Sequence, residues 1–84
     1  MEYNISIQDI KDDMRLENET DVYYIDSLND IAYHMHEQSN GDCVYMKNTG
    51  RQISPISEQE FIKAVNEKCQ GSIGSDSYYS FRKP

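Results

Sequence analysis

The stretch that decides the fold is ISEQEFIKAVNEKCQG, which spans residues 56–71. Ser57 is a favoured helix N-cap, because its hydroxyl can accept a hydrogen bond from a free amide of the first turn. Glu60 lies three residues later and can return a bond to the cap amide, which would complete a capping box. Ile56 can pack on Phe61 across this start as a hydrophobic staple. These signals predict a helix that begins at the serine.

The rest of the stretch defines the buried side of this helix and its end. Helical spacing places four side chains on one face, namely Phe61, Ile62, Val65 and Cys69. Gly71 can adopt the left-handed conformation that commonly ends a helix. The pattern therefore predicts an amphipathic helix over residues 57–69 that packs on an apolar surface.

A chain of 84 residues predicts a single small domain, 1–84. Its net charge is −7, and this charge is distributed unevenly along the sequence. Residues 1–42 hold eleven acidic and two basic side chains, a balance of −9, whereas residues 43–84 hold four acidic and six basic ones, a balance of +2. A negative surface repels nucleic acid and anionic membranes and attracts a basic protein surface. The alternative is that the acids only keep the protein soluble.

The sequence carries no signal for secretion or for a membrane. The first residues lack a basic region followed by an apolar run, and no stretch approaches the 18 or so apolar residues of a membrane span. The two cysteines, Cys43 and Cys69, are too few for a secreted disulfide framework and lack metal-binding spacing. We therefore expect a cytoplasmic protein with reduced, packed cysteines and no cofactor.

Four short segments are typical of β-strands, because they combine β-branched and aromatic side chains with neighbouring turn residues. They are residues 22–25, 43–47, 51–54 and 78–82. Between the second and third of them, Asn48-Thr49-Gly50 predicts a three-residue hairpin loop, with glycine at the left-handed position. The strands are therefore expected to pair in an antiparallel sheet.

A second helix is predicted over residues 27–38. Ser27 is a good N-cap, and Asp30 stands in the capping-box position three residues later. An apolar stripe at helical spacing follows, and Asn40-Gly41 is a typical end signal.

The N-terminal segment permits two interpretations. Residues 3–7 alternate between apolar and polar side chains, which suits a half-buried strand. Ser6 could instead cap a helix whose buried side carries Ile10. With either choice the elements predict an α+β fold, in which two helices (about 27–38 and 57–69) pack on a small antiparallel sheet of three to five strands.

The polar face of the predicted helix 27–38 offers two functional hypotheses. His34 lies one turn from both Asp30 and Glu37, and these three side chains could bind a divalent metal ion. Tyr33 on the same face could anchor a protein interface. The alternatives are an ordinary solvated face for the charged residues and packing on a neighbouring loop for the tyrosine.

The acidic side chains of the first half form the candidate interface. Carboxylates spaced along one edge would resemble the phosphates of a strand, which is how nucleic-acid mimics occupy a basic groove. The predicted partner-binding residues are Asp9, Asp12, Asp13, Glu17, Glu19, Asp21, Asp26, Asp30, Tyr33 and Glu37.

No motif brings together the groups of a catalytic site, so we expect no enzyme. The sequence favours a non-enzymatic inhibitor, monomeric or dimeric, that docks on a basic, nucleic-acid-binding surface of a larger protein without itself contacting nucleic acid or membrane. In size, charge and lack of a reactive site, the chain resembles the small acidic inhibitors of phages, anti-CRISPR proteins among them. The alternatives are a structural or regulatory subunit or immunity-type partner acting through oligomerisation, and a divalent-metal-binding protein.

Overall fold

A computed structural model describes residues 4–73 of the chain. The elements are α1 Ile7–Leu16, β1 Asp21–Asp26, β2 Ile31–Glu37, β3 Cys43–Asn48, β4 Ile53–Pro55, α2 Glu58–Glu67 and β5 Ser72–Ile73. Both helices pack on a small antiparallel sheet, so the predicted α+β fold is confirmed. The predicted strand over residues 78–82 lies outside the described residues.

The sheet of the described residues has five strands in the order β4-β3-β2-β1-β5, and every neighbouring pair is antiparallel. Strands β1 to β4 follow one another as a meander. Helix α2 then carries the chain back across the sheet, so that β5 can pair with β1 at the opposite edge. Gln70 N donates to the Ile25 carbonyl at 3.1 Å, and Ile25 N donates to the Gly71 carbonyl at 3.2 Å. These two bonds extend the pairing to the residues before β5.

Helix α2 confirms the helix predicted over residues 57–69, although it ends earlier. The Ser57 hydroxyl accepts a hydrogen bond from the Glu60 amide at 3.0 Å, which is the serine half of the predicted capping box. The helix ends at Glu67 with Lys68 as its C-cap, so the prediction that Gly71 ends it in a left-handed conformation is wrong. The hydrogen bonds of Gln70 and Gly71 to Ile25 of β1 require an extended chain at these residues, so the helix ends before it reaches them.

One hydrophobic cluster joins both helices to one face of the sheet. Phe61 of α2 is 0% exposed and Ile10 of α1 is 1% exposed. The sheet contributes Tyr24, Tyr33 and Met35 to the same cluster. The Tyr24 and Phe61 rings meet edge to face with centroids 6.1 Å apart. Aromatic rings therefore supply much of the core in a chain that is poor in leucine.

The prediction of a helix over residues 27–38 is wrong. Residues 31–37 form the central strand β2, which pairs with β1 on one side and with β3 on the other. The carboxylate of Asp26 accepts hydrogen bonds from the Asn29 amide at 3.3 Å and from Asn29 Nδ2 at 2.8 Å, and Asp30 takes a φ of 56°. Residues 27–30 therefore form a turn. Two complete ladders satisfy the backbone of β2, and this stabilises a strand over a helix.

Of the two interpretations of the N-terminal segment, the helix is the one that forms. The Ser6 hydroxyl accepts from the Asp9 amide at 3.1 Å, and the Asp9 carboxylate accepts from the Ser6 amide at 3.0 Å. This is a complete capping box at the start of α1.

The predicted strands 22–25 and 43–47 are confirmed as β1 and β3. The strand predicted over residues 51–54 shifts to β4. Asn48 pairs with Ile53, so the predicted three-residue hairpin loop is wrong, and the loop consists of residues 49–52. Gly50 in this loop takes a positive φ of +91°, and Gly41 takes the same φ in the β2–β3 turn rather than at a helix end.

Candidate functional site

Helix α1 sorts its charged side chains onto two flanks. Lys11 Nζ donates to a backbone carbonyl of the β2–β3 turn at 3.4 Å, and Arg15 Nη2 lies 3.4 Å from Glu37 Oε2 at the end of β2. Asp13 and Glu17, one turn apart, lie on the flank that faces β1. Both basic residues of the acidic half are therefore held on the side of α1 away from these acids.

The end of α1 brings a further acid to the same side. Asn18 takes a left-handed φ of 55°, and Glu19 N donates to the Met14 carbonyl at 2.8 Å. Asparagine tolerates this conformation, which is a common way to end a helix. The reversal places Glu19 beside Glu17, ahead of strand β1.

A groove of about 360 Å³ lies between α1 and β1, and we call it the α1–β1 groove. Its less exposed lining is apolar apart from a phenol, and consists of Ile10, Met14, Val22 and Tyr24. Its exposed lining is acidic with one leucine, and consists of Asp13, Leu16, Glu17 and Glu19. Asp21 and Ser72 also border it. Among the described residues, no basic side chain lines this groove.

Three acids at the groove, Asp13, Glu17 and Glu19, have no hydrogen-bond or ion-pair partner for their carboxylates within residues 4–73. The other acids between residues 9 and 42 all interact within the chain, as Asp9 does with a cap amide and Asp12 with Gln8 and Arg15. Internal contacts therefore use most of the acids that the sequence concentrates in its first half. Of the acids described in that half, the three left for an external contact gather at one groove.

Tyr24 reports the negative field inside the groove. Burial raises the pKa of its phenol, and the charge of Asp13 raises that pKa further, whereas a hydrogen bond with Ser72 lowers it. The carboxylate of Asp13 thus acts on the buried base of the groove as well as on solvent. A cation entering the groove would meet a negative field above an apolar surface.

Asp21 has a different environment, because its carboxylate is shared by two imidazoles. Asp21 Oδ1 lies 2.7 Å from His34 Nε2 and 2.9 Å from His36 Nδ1. The histidines occupy alternate positions of β2, and Asp21 is paired in register with His36. The ring of Tyr23 stacks on His34 with centroids 4.2 Å apart. Side chains alternate along β2, and Tyr33 and Met35 enter the core. His34 and His36 therefore lie on the sheet face opposite the helices.

Hydrogen bonding dominates the ionisation of Asp21. Partial burial raises the pKa of its carboxyl, but hydrogen bonds from His34, Thr20 and His36 together outweigh burial and hold that pKa below its ordinary value. Asp21 thus borders the groove while its carboxylate is committed to the histidines. This cluster fastens β1 to β2 and is not available to a partner in the way the groove acids are.

The structure separates the ten predicted interface residues into distinct groups. Asp13, Glu17, Glu19 and Asp21 line the α1–β1 groove, and Asp9 and Asp12 are exposed along α1.

Tyr33 and Asp26 are 2% and 1% exposed, so the expected exposure of both side chains is wrong. Tyr33 enters the core because strand alternation turns it toward the helices. Asp26 holds the β1–β2 turn, and hydrogen bonds from Asn29 keep the pKa of its carboxyl below the ordinary value.

The metal-binding hypothesis required Asp30, His34 and Glu37 to share one face of a helix, and no helix forms there. Asp30 lies in the β1–β2 turn, His34 points away from the helices, and Glu37 pairs with Arg15 near α1. Asp30 precedes the strand, and His34 and Glu37 lie on opposite faces of it, so the three side chains do not converge. Within residues 4–73 no group of three or more histidine, cysteine or acidic side chains could hold a metal ion.

Two features of the site were not foreseen from the sequence. Leu16 is 83% exposed at the groove, although an isolated leucine at a helix end gives no signal by itself. The pairing of His34 and His36 with Asp21 could have been found, because residues two apart share a face once the segment is taken as a strand.

Both cysteines are free and half-buried against the core. Burial raises the pKa of the Cys69 thiol to about 11 and also raises that of Cys43. A thiol with a raised pKa is a weak nucleophile at neutral pH. Neither cysteine therefore resembles an activated catalytic thiol.

No helix within residues 4–73 is long and apolar enough to cross a membrane. Comparison with protein-family models, with curated proteins and with solved structures finds no match to this chain. The case for a function therefore rests on the site itself.

Proposed function

We propose that this chain is a non-enzymatic inhibitor that docks on a basic, nucleic-acid-binding surface of a larger protein. The contact surface is the α1–β1 groove with the adjoining exposed acids of α1. A single observation carries the proposal: among the described acids of the first half, those without a partner within residues 4–73 are the three that border an apolar groove.

Charge complementarity explains how such a surface would work. Unpaired carboxylates on one side of a negatively charged protein speed the approach of a basic surface and favour it over acidic ones. The apolar lining and exposed Leu16 would add contact area within an acidic rim, which matches the usual anatomy of a protein interface. A partner that normally holds nucleic acid presents the required positive surface.

A matched pair of charge reversals tests the proposal. Asp13→Lys with Glu17→Lys alters the groove, whereas Glu60→Lys with Glu67→Lys alters exposed acids of α2 by the same charge. Lysine near the C-terminal end of α1 suits the helix dipole, whereas lysine at Glu60 in the first turn of α2 opposes it, so circular dichroism is used to verify that both variants remain folded. Any loss of binding is then a property of the surface.

The measurement is capture of proteins from a cell lysate by the immobilised chain, with mass spectrometry and a nucleic-acid competition step. We expect the wild type and the α2 variant to retain the same basic, nucleic-acid-binding protein, and the groove variant to retain at least tenfold less. Added duplex DNA or RNA should release the captured protein, and moderate salt should weaken its binding. Equal capture by both variants, or capture that nucleic acid does not compete with, would contradict the proposal.

The alternative of an oligomeric subunit has weaker support in the described residues. The edge strand β4 has three residues and includes Pro55. Short edges and proline discourage pairing between sheets of separate molecules. Size-exclusion chromatography with light scattering decides the point, because a stable dimer at micromolar concentration would favour the subunit over the monomeric inhibitor.

A further inference from the structure

We infer that the α1–β1 groove receives one arginine side chain of the partner protein. This inference rests on the proposed function and adds the chemistry of recognition. The occupant should be positively charged, because within residues 4–73 the groove acids Asp13, Glu17 and Glu19 have no partner and no basic side chain lines the groove. It must also carry an apolar portion, because the less exposed lining is formed by Met14, Val22 and neighbouring apolar side chains.

An arginine meets both requirements in one side chain. Its aliphatic stem can lie along Met14 and Val22 while its charged end remains among the carboxylates, as long cationic side chains commonly do. The groove volume of about 360 Å³ falls at the lower end of the roughly 300–1,000 Å³ typical of small-ligand sites. The groove therefore has room for one extended side chain.

The arrangement of acceptors favours arginine over lysine. Asp13 and Glu17 approach from the flank of α1, and Glu19 approaches from the loop that leads into β1. Three carboxylates that line one groove offer more acceptor oxygens than one ammonium can use, and they suit the planar guanidinium, which directs five N–H donors outward in a fixed fork. A lysine ammonium concentrates three donors at one point and is more strongly hydrated. Preference for arginine is therefore the distinguishing property of this site.

Exposed Leu16 gives the groove an apolar edge. Its side chain is 83% exposed, so it makes little contribution to the core. In the complex it would cover the aliphatic stem as the arginine enters. This contact is independent of charge and can be removed without changing the net charge of the protein.

The experiment is a titration of the full-length, isotope-labelled chain with three capped peptides, followed by nuclear magnetic resonance. The peptides are identical except for a central arginine, lysine or citrulline, the last being a neutral analogue close in shape to arginine. We expect saturable shifts at the amides of Met14 and Val22 with the arginine peptide, binding at least fivefold weaker with lysine, and no saturation with citrulline. The amides of Glu60 and Glu67 should not move.

Three variants locate the binding. Asp13→Asn with Glu17→Gln should weaken the arginine peptide at least tenfold, whereas Glu60→Gln with Glu67→Gln should change it less than twofold. Leu16→Ser should weaken it several-fold without changing the charge, and this exposed position keeps the test valid if the acidic variant fails to fold. Equal binding of arginine and lysine peptides, or shifts spread over acids elsewhere, would overturn the inference.

The outcome is separable from the test of the proposed function. The peptide titration requires no macromolecular partner, so groove-dependent capture of a basic protein together with no arginine preference would reject only the arginine site. Conversely, a groove that binds the arginine peptide in a chain that captures no basic protein would reject the inhibitor and retain the site.

Discussion

Residues 27–38 and 57–69 begin with nearly the same local signal and fold differently. Each starts with a serine followed three residues later by an acid, Ser27 with Asp30 and Ser57 with Glu60, and each continues with apolar residues at helical spacing. The second becomes helix α2, and the first becomes a turn and the central strand β2. The comparison shows that a cap motif is decisive only when no competing partner is available to the backbone that follows.

Strands β1 and β3, together with Asp26 before the turn, offer residues 27–37 hydrogen bonds that compete with those of a helix. Asp26 binds Asn29 and holds the turn in which Ser27 would have started a helix. Residues 31–37 alternate between core and opposite face, and ladders with β1 and β3 satisfy the strand on both edges. No such ladder is offered to α2, which instead buries one side on the sheet. The following substitutions test this difference, in order of decreasing effect.

Phe61→Ala should have the largest effect. Phe61 is 0% exposed and contacts the rings of Tyr24 and Tyr45, so its removal leaves a large cavity. We expect a loss of about 4 kcal/mol in the free energy of unfolding. Urea denaturation would measure it, and a loss below about 1 kcal/mol would mean that α2 is not packed on the sheet as described.

Tyr33→Ala distinguishes the strand from the helix in residues 27–38. Tyr33 is a core residue of β2 and is 2% exposed, so its truncation should lower the free energy of unfolding by about 3 kcal/mol. If the residue were exposed on a helix, its truncation would lower the free energy of unfolding by no more than about 0.5 kcal/mol. The same urea titration decides between them, and His36→Ala on the opposite face, which removes only the hydrogen bond to Asp21, should cost about 1 kcal/mol.

The three serines of the cap-like motifs should separate into two groups. Ser6→Ala and Ser57→Ala each remove an N-cap and should cost about 1 kcal/mol. Ser27→Ala removes an exposed bond to Gln70 and no cap, so its cost should be nearer 0.5 kcal/mol. Thermal unfolding of the three variants side by side measures the difference. Equal losses at all three positions would show that residues 27–30 behave as a helix start.

Leu28→Ala should have the smallest effect. A helix over residues 27–38 would bury this leucine, and its truncation would then cost at least about 2 kcal/mol. In the turn it is 89% exposed, and the expected change is within about 0.5 kcal/mol. A large loss of stability, measured by denaturant titration, would restore the helical interpretation.

The candidate site was foreseen in composition but not in geometry. The sequence predicts an interface among the acids of the first half, and the structure brings three of them, Asp13, Glu17 and Glu19, to one groove. It does not show that Asp21 is engaged by His34 and His36, or that Arg15 takes up Glu37. Those contacts join side chains from different elements, and their formation depends on strand register. Which carboxylates stay free is therefore a property of the folded chain.

The sequence by itself left the segment at Ser6 open between a strand and a capped helix, but it determined the capped helix at Ser57, the positive φ of Gly50 and the imbalance of charge between the two halves. Hydrogen bonds between near neighbours and the conformational range of single residues control these features, so a short window contains their cause. The tertiary structure alone decided that residues 31–37 form a strand and which acids have partners. The physical reason is that a backbone or a carboxylate takes the best partner that the whole fold supplies, and those partners come from distant parts of the chain.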